Sequence, residues 1–266
     1  MSLMPVVYVA HGGGPMPLMG DPNHADLTNY MRGFAARFPA PKAILVVTAH
    51  WEEASVCVTA HPNPSLLFDY YGFPPETYHY QYPAPGNPDL AKRVVSLIEQ
   101  QGIAVQLDTQ RGFDHGTFVP LMLMYPTAEI PVVQMSLKVG LNPAEHIRIG
   151  QALSALREQG VLIVGSGLSF HNMRAFFAAD ASKLPRSQAF DQWLVQSLCD
   201  SSLSASERAE RLANWLAAPE ARFCHPREEH LLPLQVCLGA ASCAQARHDF
   251  SSTLFDTAIS GFLWAE

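Results

Sequence analysis

Three short apolar runs that each lead into a histidine constrain this chain more than any other feature. Residues 5–10 lead into His11, residues 43–49 into His50, and residues 161–170 into His171. Runs rich in Val, Ile and Leu and bounded by turn residues read as strands of a parallel sheet buried on both faces. In an open α/β sheet, ligands bind just beyond the carboxyl ends of the strands. The pattern therefore predicts that imidazoles from distant parts of the chain reach one sheet edge, which is how a metal site is assembled. A fourth, His230, lies between Glu228-Glu229 and Leu231-Leu232-Pro233-Leu234. That stretch reads as the first turn of a helix with an acidic start.

Further strands are expected near 55–60, 103–108 and 131–137. Asn87-Pro88-Asp89 and Asn142-Pro143-Ala144-Glu145 each offer an N-cap followed by proline at the first helical position. Gly102 and Gly160 mark where those two helices stop. Helices are also expected over 24–38 and 186–217, and residues 246–264 alternate weakly, as added sheet-edge strands would. Between 61 and 86, six prolines and five tyrosines exclude a long helix and predict an ordered aromatic loop over the sheet edge. The β-helix-β rhythm predicts an α/β single domain over residues 4–266. Its central sheet is expected to be mostly parallel or mixed, with helices on both faces and the site at the carboxyl edge of the strands. Met1-Ser2-Leu3, ahead of a second methionine at position 4, reads as a cloning scar.

Composition narrows the function classes. At 48% hydrophobic and 15% charged residues, the chain reads as a compact soluble protein without a disorder signature. A formal net charge of −7 and the lack of any Lys/Arg cluster argue against nucleic acid as partner. No apolar run reaches the roughly 18 residues a membrane helix needs. Five scattered cysteines, with no C-x-x-C pair, fit reduced thiols in the cytoplasm.

For the site itself, His11 and His50 stand out as metal ligands because each sits where a strand gives way to a turn. His230 is the third candidate. Its neighbour Glu229 competes for the same role, since adjacent helical residues point about 100° apart and only one can face a metal. Imidazole is a common ligand of zinc and ferrous iron, and three protein ligands leave positions open for guests. His171 is a candidate fourth ligand or an acid/base, and His115, in Asp114-His115-Gly116-Thr117, is a candidate catalytic residue. His24, His61, His79, His146, His225 and His248 read as structural or surface residues. Gly12-Gly13-Gly14 is no dinucleotide fingerprint, because Pro17 stands where the last glycine belongs. Gly165-Ser166-Gly167 only loosely resembles a nucleophile elbow, which needs G-x-S-x-G.

Taken together, these segments resemble the class III extradiol ring-cleavage dioxygenases, in particular their single-chain DOPA 4,5-dioxygenase-type branch. The catalytic B subunit of protocatechuate 4,5-dioxygenase shares that fold. The resemblance rests on His11-Gly12-Gly13-Gly14-Pro15, Thr48-Ala49-His50-Trp51, Asp69-Tyr70-Tyr71-Gly72-Phe73-Pro74 and Tyr82-Pro83-Ala84-Pro85-Gly86. It continues through Asp114-His115-Gly116-Thr117, Gly165-Ser166-Gly167 with His171-Asn172, and Glu229-His230-Leu231-Leu232-Pro233-Leu234.

The resemblance implies that His11, His50 and His230 hold a divalent metal, that His171 lies beside it, and that His115 lines the substrate pocket. Better-studied members use two histidines and a glutamate, so the choice between Glu229 and His230 stays open here. Fe(II) is expected for activity, because zinc is redox-silent and ring opening needs electrons passed between a bound diol and O2. Zn(II) is the metal with which members of this branch are often found. The implied partners are a small aromatic diol and O2, and the implied product is a semialdehyde acid. A homo-oligomer is compatible with the sequence. Two rival readings are a zinc-dependent hydrolase, in which metal-bound water is the nucleophile, and a non-enzymatic metal-binding homologue.

Overall fold

All the expected strands form, and they join into one sheet. They are β1 (Val6–Ala10), β2 (Ala43–Glu53), β3 (Val56–Thr59), β4 (Val105–Asp108), β5 (Val132–Lys138), β6 (Val161–Gly167), β7 (Arg247–Leu254) and β8 (Thr257–Trp264). Their order across the sheet is β4-β3-β5-β2-β6-β1-β8-β7. The structure, a computed structural model, describes residues 3–265. Met1 and Ser2, read above as part of a cloning scar, lie outside the described residues.

The sheet is mixed. Its centre, β5-β2-β6-β1, is parallel throughout, so these four strands present their carboxyl ends at one edge. Antiparallel pairings join β3 to β5, β8 to β1 and β7 to β8. The weakly alternating tail thus forms two strands, of which only β7 is at the sheet edge; β8 lies between β7 and β1.

The alternation at the end of β6 shows how both faces are covered. A Cβ added at Gly165 would lie 2.6 Å from the Pro233 carbonyl oxygen, and one at Gly167 only 2.1 Å from that of His230. On this face the helix Leu232–Ala240 and the turn before it press directly on the strand, and only glycine leaves room. Ser166 points the other way, where its hydroxyl donates to the Gly116 carbonyl at the start of the helix His115–Met124. Ser166 is fully buried there, so it has no nucleophile's exposure. A second close approach joins the helices Pro143–Leu153 and Leu232–Ala240, which touch through Gly150 and Gly239.

Three local expectations change. β2 does not stop before His50 but runs through it to Glu53, with its register against β5 shifting between Val47 and Glu52. Such an irregularity re-aims side chains, here at His50. The stretch 186–217 is not one helix: Lys183–Cys199 ends, a turn follows, and Ala205–Ala213 begins at Ser204. Ser204 and Glu207 form a reciprocal capping box, a signal present in the sequence. The helix expected over 24–38 is Ala25–Arg32, followed by a 3-10 turn at Ala35–Arg37. Among the described residues no helix is long and apolar enough to cross a membrane.

Candidate metal centre and active-site cavity

His11 follows β1, His50 lies in β2, and β6 separates those two strands while carrying Gly167 between them. His230 sits in the turn just before the helix Leu232–Ala240, rather than inside its first turn as expected. The three rings converge. Nε2 of His11 and Nε2 of His50 are 3.2 Å apart, and ring centroids lie 5.2 Å (His11–His230) and 4.9 Å (His50–His230) from one another. Ligand nitrogens of all three fall within 4.8 Å of each other.

The rings of His11 and His230 are held from behind by a hydrogen bond at their other nitrogen, and that of His50 faces a carboxylate at longer range. His11 Nδ1 is 2.9 Å from the Gly12 carbonyl, which can only accept, so that nitrogen carries the proton. His230 Nδ1 lies 3.1 Å from Glu229 Oε1, and His50 Nδ1 lies 3.8 Å from Asp69 Oδ2. A proton fixed on Nδ1 leaves the Nε2 lone pair free, the tautomer that a metal ligand needs. His230 Nε2 is buried and has no hydrogen-bond partner among the described residues. A bare, buried nitrogen facing two others is costly unless something electropositive sits between them. Burial pushes the imidazole pKa of all three well below the ordinary range, and the neighbouring histidines push it further, so they are neutral at neutral pH. Three neutral nitrogens form a donor set that fits zinc or ferrous iron.

Two other groupings have similar spacing: His50, Asp69 and His115, and His171, Glu229 and His230. Their shortest contacts are those of hydrogen-bonded imidazole and carboxylate. Asp69 Oδ1 is 2.8 Å from His115 Nδ1 and also accepts the His115 backbone N–H at 2.9 Å. Glu229 Oε1 serves both His230 and His171, whose Nδ1 is 3.3 Å away. Burial alone would raise the pKa of both carboxylates. At Asp69 the hydrogen bonds and nearby ring of His115 together outweigh it, and at Glu229 the His171 hydrogen bond, a backbone hydrogen bond and the nearby His171 and Arg227 charges do so together, so both stay ionised. Glu229 therefore stands behind His230, on the side away from His11 and His50. The His171 ring stacks on that of His230, with centroids 3.4 Å apart and planes 14° off parallel. Its nitrogen groups with Glu229 and His230, not with His11 and His50.

These groups open onto a cavity of about 380 Å³. His115, His171 and the Gly12–Gly14 turn line it, together with aromatic, thioether and leucine side chains. From the proline-rich loop, only Tyr70, Tyr71 and Phe73 reach it, together with Asp69; Tyr78 packs instead with Phe68 and Tyr70. The sequence gives no sign of the role of Asp69, whereas His24 proves structural, as expected. His24 is fully buried, accepts from the Gly13 N–H through Nε2 and pairs with Asp21 through Nδ1, so it braces the glycine turn. The other predicted background histidines stay out of the cavity: His146 accepts from the Lys138 N–H, and His225 donates to the Ser169 carbonyl.

The family model described as the catalytic LigB subunit of aromatic ring-opening dioxygenase matches residues 1–262. The chain belongs to that family. It is a metal-dependent extradiol ring-cleaving dioxygenase. Among relatives of this dioxygenase, a Hapsidospora irregularis protein named dioxygenase tasH is 40% identical over 261 residues, covering 91% of this chain and 79% of that protein. A Beta vulgaris 4,5-DOPA dioxygenase extradiol is 38% identical over 238 residues, with 88% and 85% covered. The protein of the same name from Escherichia coli K12 is 36% identical over 239 residues, with 89% and 85% covered. A crystal structure of an uncharacterised Escherichia coli K12 protein superposes with a TM-score of 0.80 at 31% identity, covering 98% of this chain and 99% of that one. The hydrolase and the non-enzymatic readings thereby lose their footing.

Proposed function

We propose that this dioxygenase opens the ring of a catechol-type diol with O2 beside the two hydroxyls, giving a semialdehyde acid. In this reading His11, His50 and His230 hold the metal, and Glu229 orients His230 rather than replacing it. The observation that carries the assignment is the convergence of three Nε2 atoms, one of them buried and unpartnered, with their opposite nitrogens turned to acceptors. The names of the Beta vulgaris and Escherichia coli relatives, which refer to DOPA, support a catechol as the diol. When bound there, ferrous iron would supply the electron transfer between diol and O2, whereas zinc, the metal expected on purification, would supply only polarisation.

The remaining groups handle protons. His171 Nδ1 is committed to Glu229, so Nε2 is the nitrogen that takes a proton from a diol hydroxyl and returns it during ring opening. His115, with Nδ1 on Asp69, likewise turns Nε2 to the substrate as a hydrogen-bond acceptor. The apolar wall excludes water around the reacting ring. Five cysteines without a disulfide support a cytoplasmic setting. Metal analysis of protein purified without chelators, coupled to oxygen uptake after anaerobic loading with Fe(II), tests the proposal. Uptake with catechols is expected; none across a catechol panel overturns it, and equal turnover of an ester without air would restore the hydrolase.

A further inference from the structure

We infer that the cavity selects diols whose ring substituent is uncharged and apolar, and discriminates against those bearing a carboxylate. This deepens the proposed function and rests on it. Beyond the site histidines, the one ionisable carboxylate among the cavity's lining residues is Asp69, and no Lys or Arg is among them. The cavity's apolar lining includes Met16, Met173, Phe176, Phe177, Leu254 and Phe255. A carboxylate carried on the ring would lose its water against these side chains and find no cation to replace it. Of the cations on the neighbouring segment, Lys183 is already committed, its Nζ contacting the carbonyls of Phe176 and Ala178 at 3.4 and 3.3 Å and pairing with Asp256 at 3.6 Å, and the exposed Arg174 is not among the lining residues.

The mouth carries the same preference outward. Tyr71, Phe177 and Met173 line the cavity yet are 92%, 75% and 54% exposed. Exposed large apolar side chains gathered at the entrance of a cavity mark a surface that gains from covering. A diol with an apolar substituent can place its hydroxyls toward the histidines and its tail between these three. The selectivity therefore departs from that implied by the names of the DOPA-directed relatives, since DOPA carries a carboxylate.

A matched pair tests this: 3-(3,4-dihydroxyphenyl)propanoate and its methyl ester, which differ in the charge at one end. Binding is measured anaerobically by titration calorimetry on zinc-loaded protein, and kcat/KM by oxygen uptake on the iron-loaded enzyme. The ester is expected to bind about tenfold more tightly, with a parallel gain in kcat/KM. Phe177→Arg is expected to narrow or invert the ratio by raising acid affinity, at a position too exposed to threaten folding. Equal or tighter binding of the acid by the unaltered protein, or no response to Phe177→Arg, overturns the inference. If neither compound is turned over, the catechol proposal is what suffers and goes to the wider panel, while the binding ratio still decides selectivity.

Discussion

Asp69 serves two imidazoles with one carboxylate: Oδ1 takes both the ring and the backbone N–H of His115, and Oδ2 faces His50. Removing its charge should loosen a proposed metal ligand and the pocket histidine together. Asp69→Asn is expected to cost roughly 10–100-fold in metal affinity or activity, read by competitive chelator titration and oxygen uptake. His171→Ala should instead leave metal content intact while lowering kcat by about 10²–10⁴-fold, the range for a positioned proton-transfer group. Loss of metal in that variant would make His171 a ligand. Asp114 gives a pH signature. Burial, then the nearby charge of Asp69, raises its carboxyl pKa from 3.8 to about 6 despite a hydrogen bond from Thr48. Its share of stability is thus complete below about pH 4 and is lost as pH rises through 6, on the order of 3 kcal/mol. Urea unfolding of metal-free Asp114→Asn between pH 4 and 7 should lack that component relative to the parent. None of the roles of Asp69 or Asp114 was legible in the sequence, because each depends on a carboxylate meeting a distant partner. His11 and His50 were legible because strand direction alone puts them at one edge.

At the level of elements, the contact between the helices Pro143–Leu153 and Leu232–Ala240 is the most exacting. A Cβ on Gly150 would fall 2.0 Å from the Val236 carbonyl oxygen, and one on Gly239 would fall 2.0 Å from that of Ile147. Backbone cannot yield as a side-chain tip would. Gly150→Ala should therefore cost about 1–3 kcal/mol or more by overpacking, even though alanine favours helix. Because His230 immediately precedes the displaced helix, metal affinity should fall as well; calorimetric unfolding and metal titration read the two effects separately. Several elements could be read from the chain. Asn87 and Asn142 do cap their helices, accepting from the Leu90 and Glu145 N–H groups, since proline and a short polar side chain leave few other conformations. The break at 200–204 went unread because the apolar period on either side masked the Ser204–Glu207 box. The glycine crossing could not be read at all, since the sequence does not say which backbones approach one another.

Across the whole molecule, the three candidate ligands belong to segments far apart in the chain, so any cation they share ties those segments together. Saturating metal at about a hundredfold above its Kd should add roughly 2.7 kcal/mol to the folded state. For a chain of this size that corresponds to a rise in Tm of about 5 °C, reversed by chelator. His11→Ala should lose most of the rise while keeping the metal-free Tm close to that of the parent. The position of β6 between β1 and β2 carries a further consequence, one of timing. During synthesis the first two imidazoles have no common scaffold until residues 161–167 have left the ribosome, and the third arrives only with residue 230. On the proposed ligand set, metal capture waits for a chain that is nearly finished. A nascent chain that stalls midway carries isolated histidines, which compete poorly for the scarce free metal of a cell.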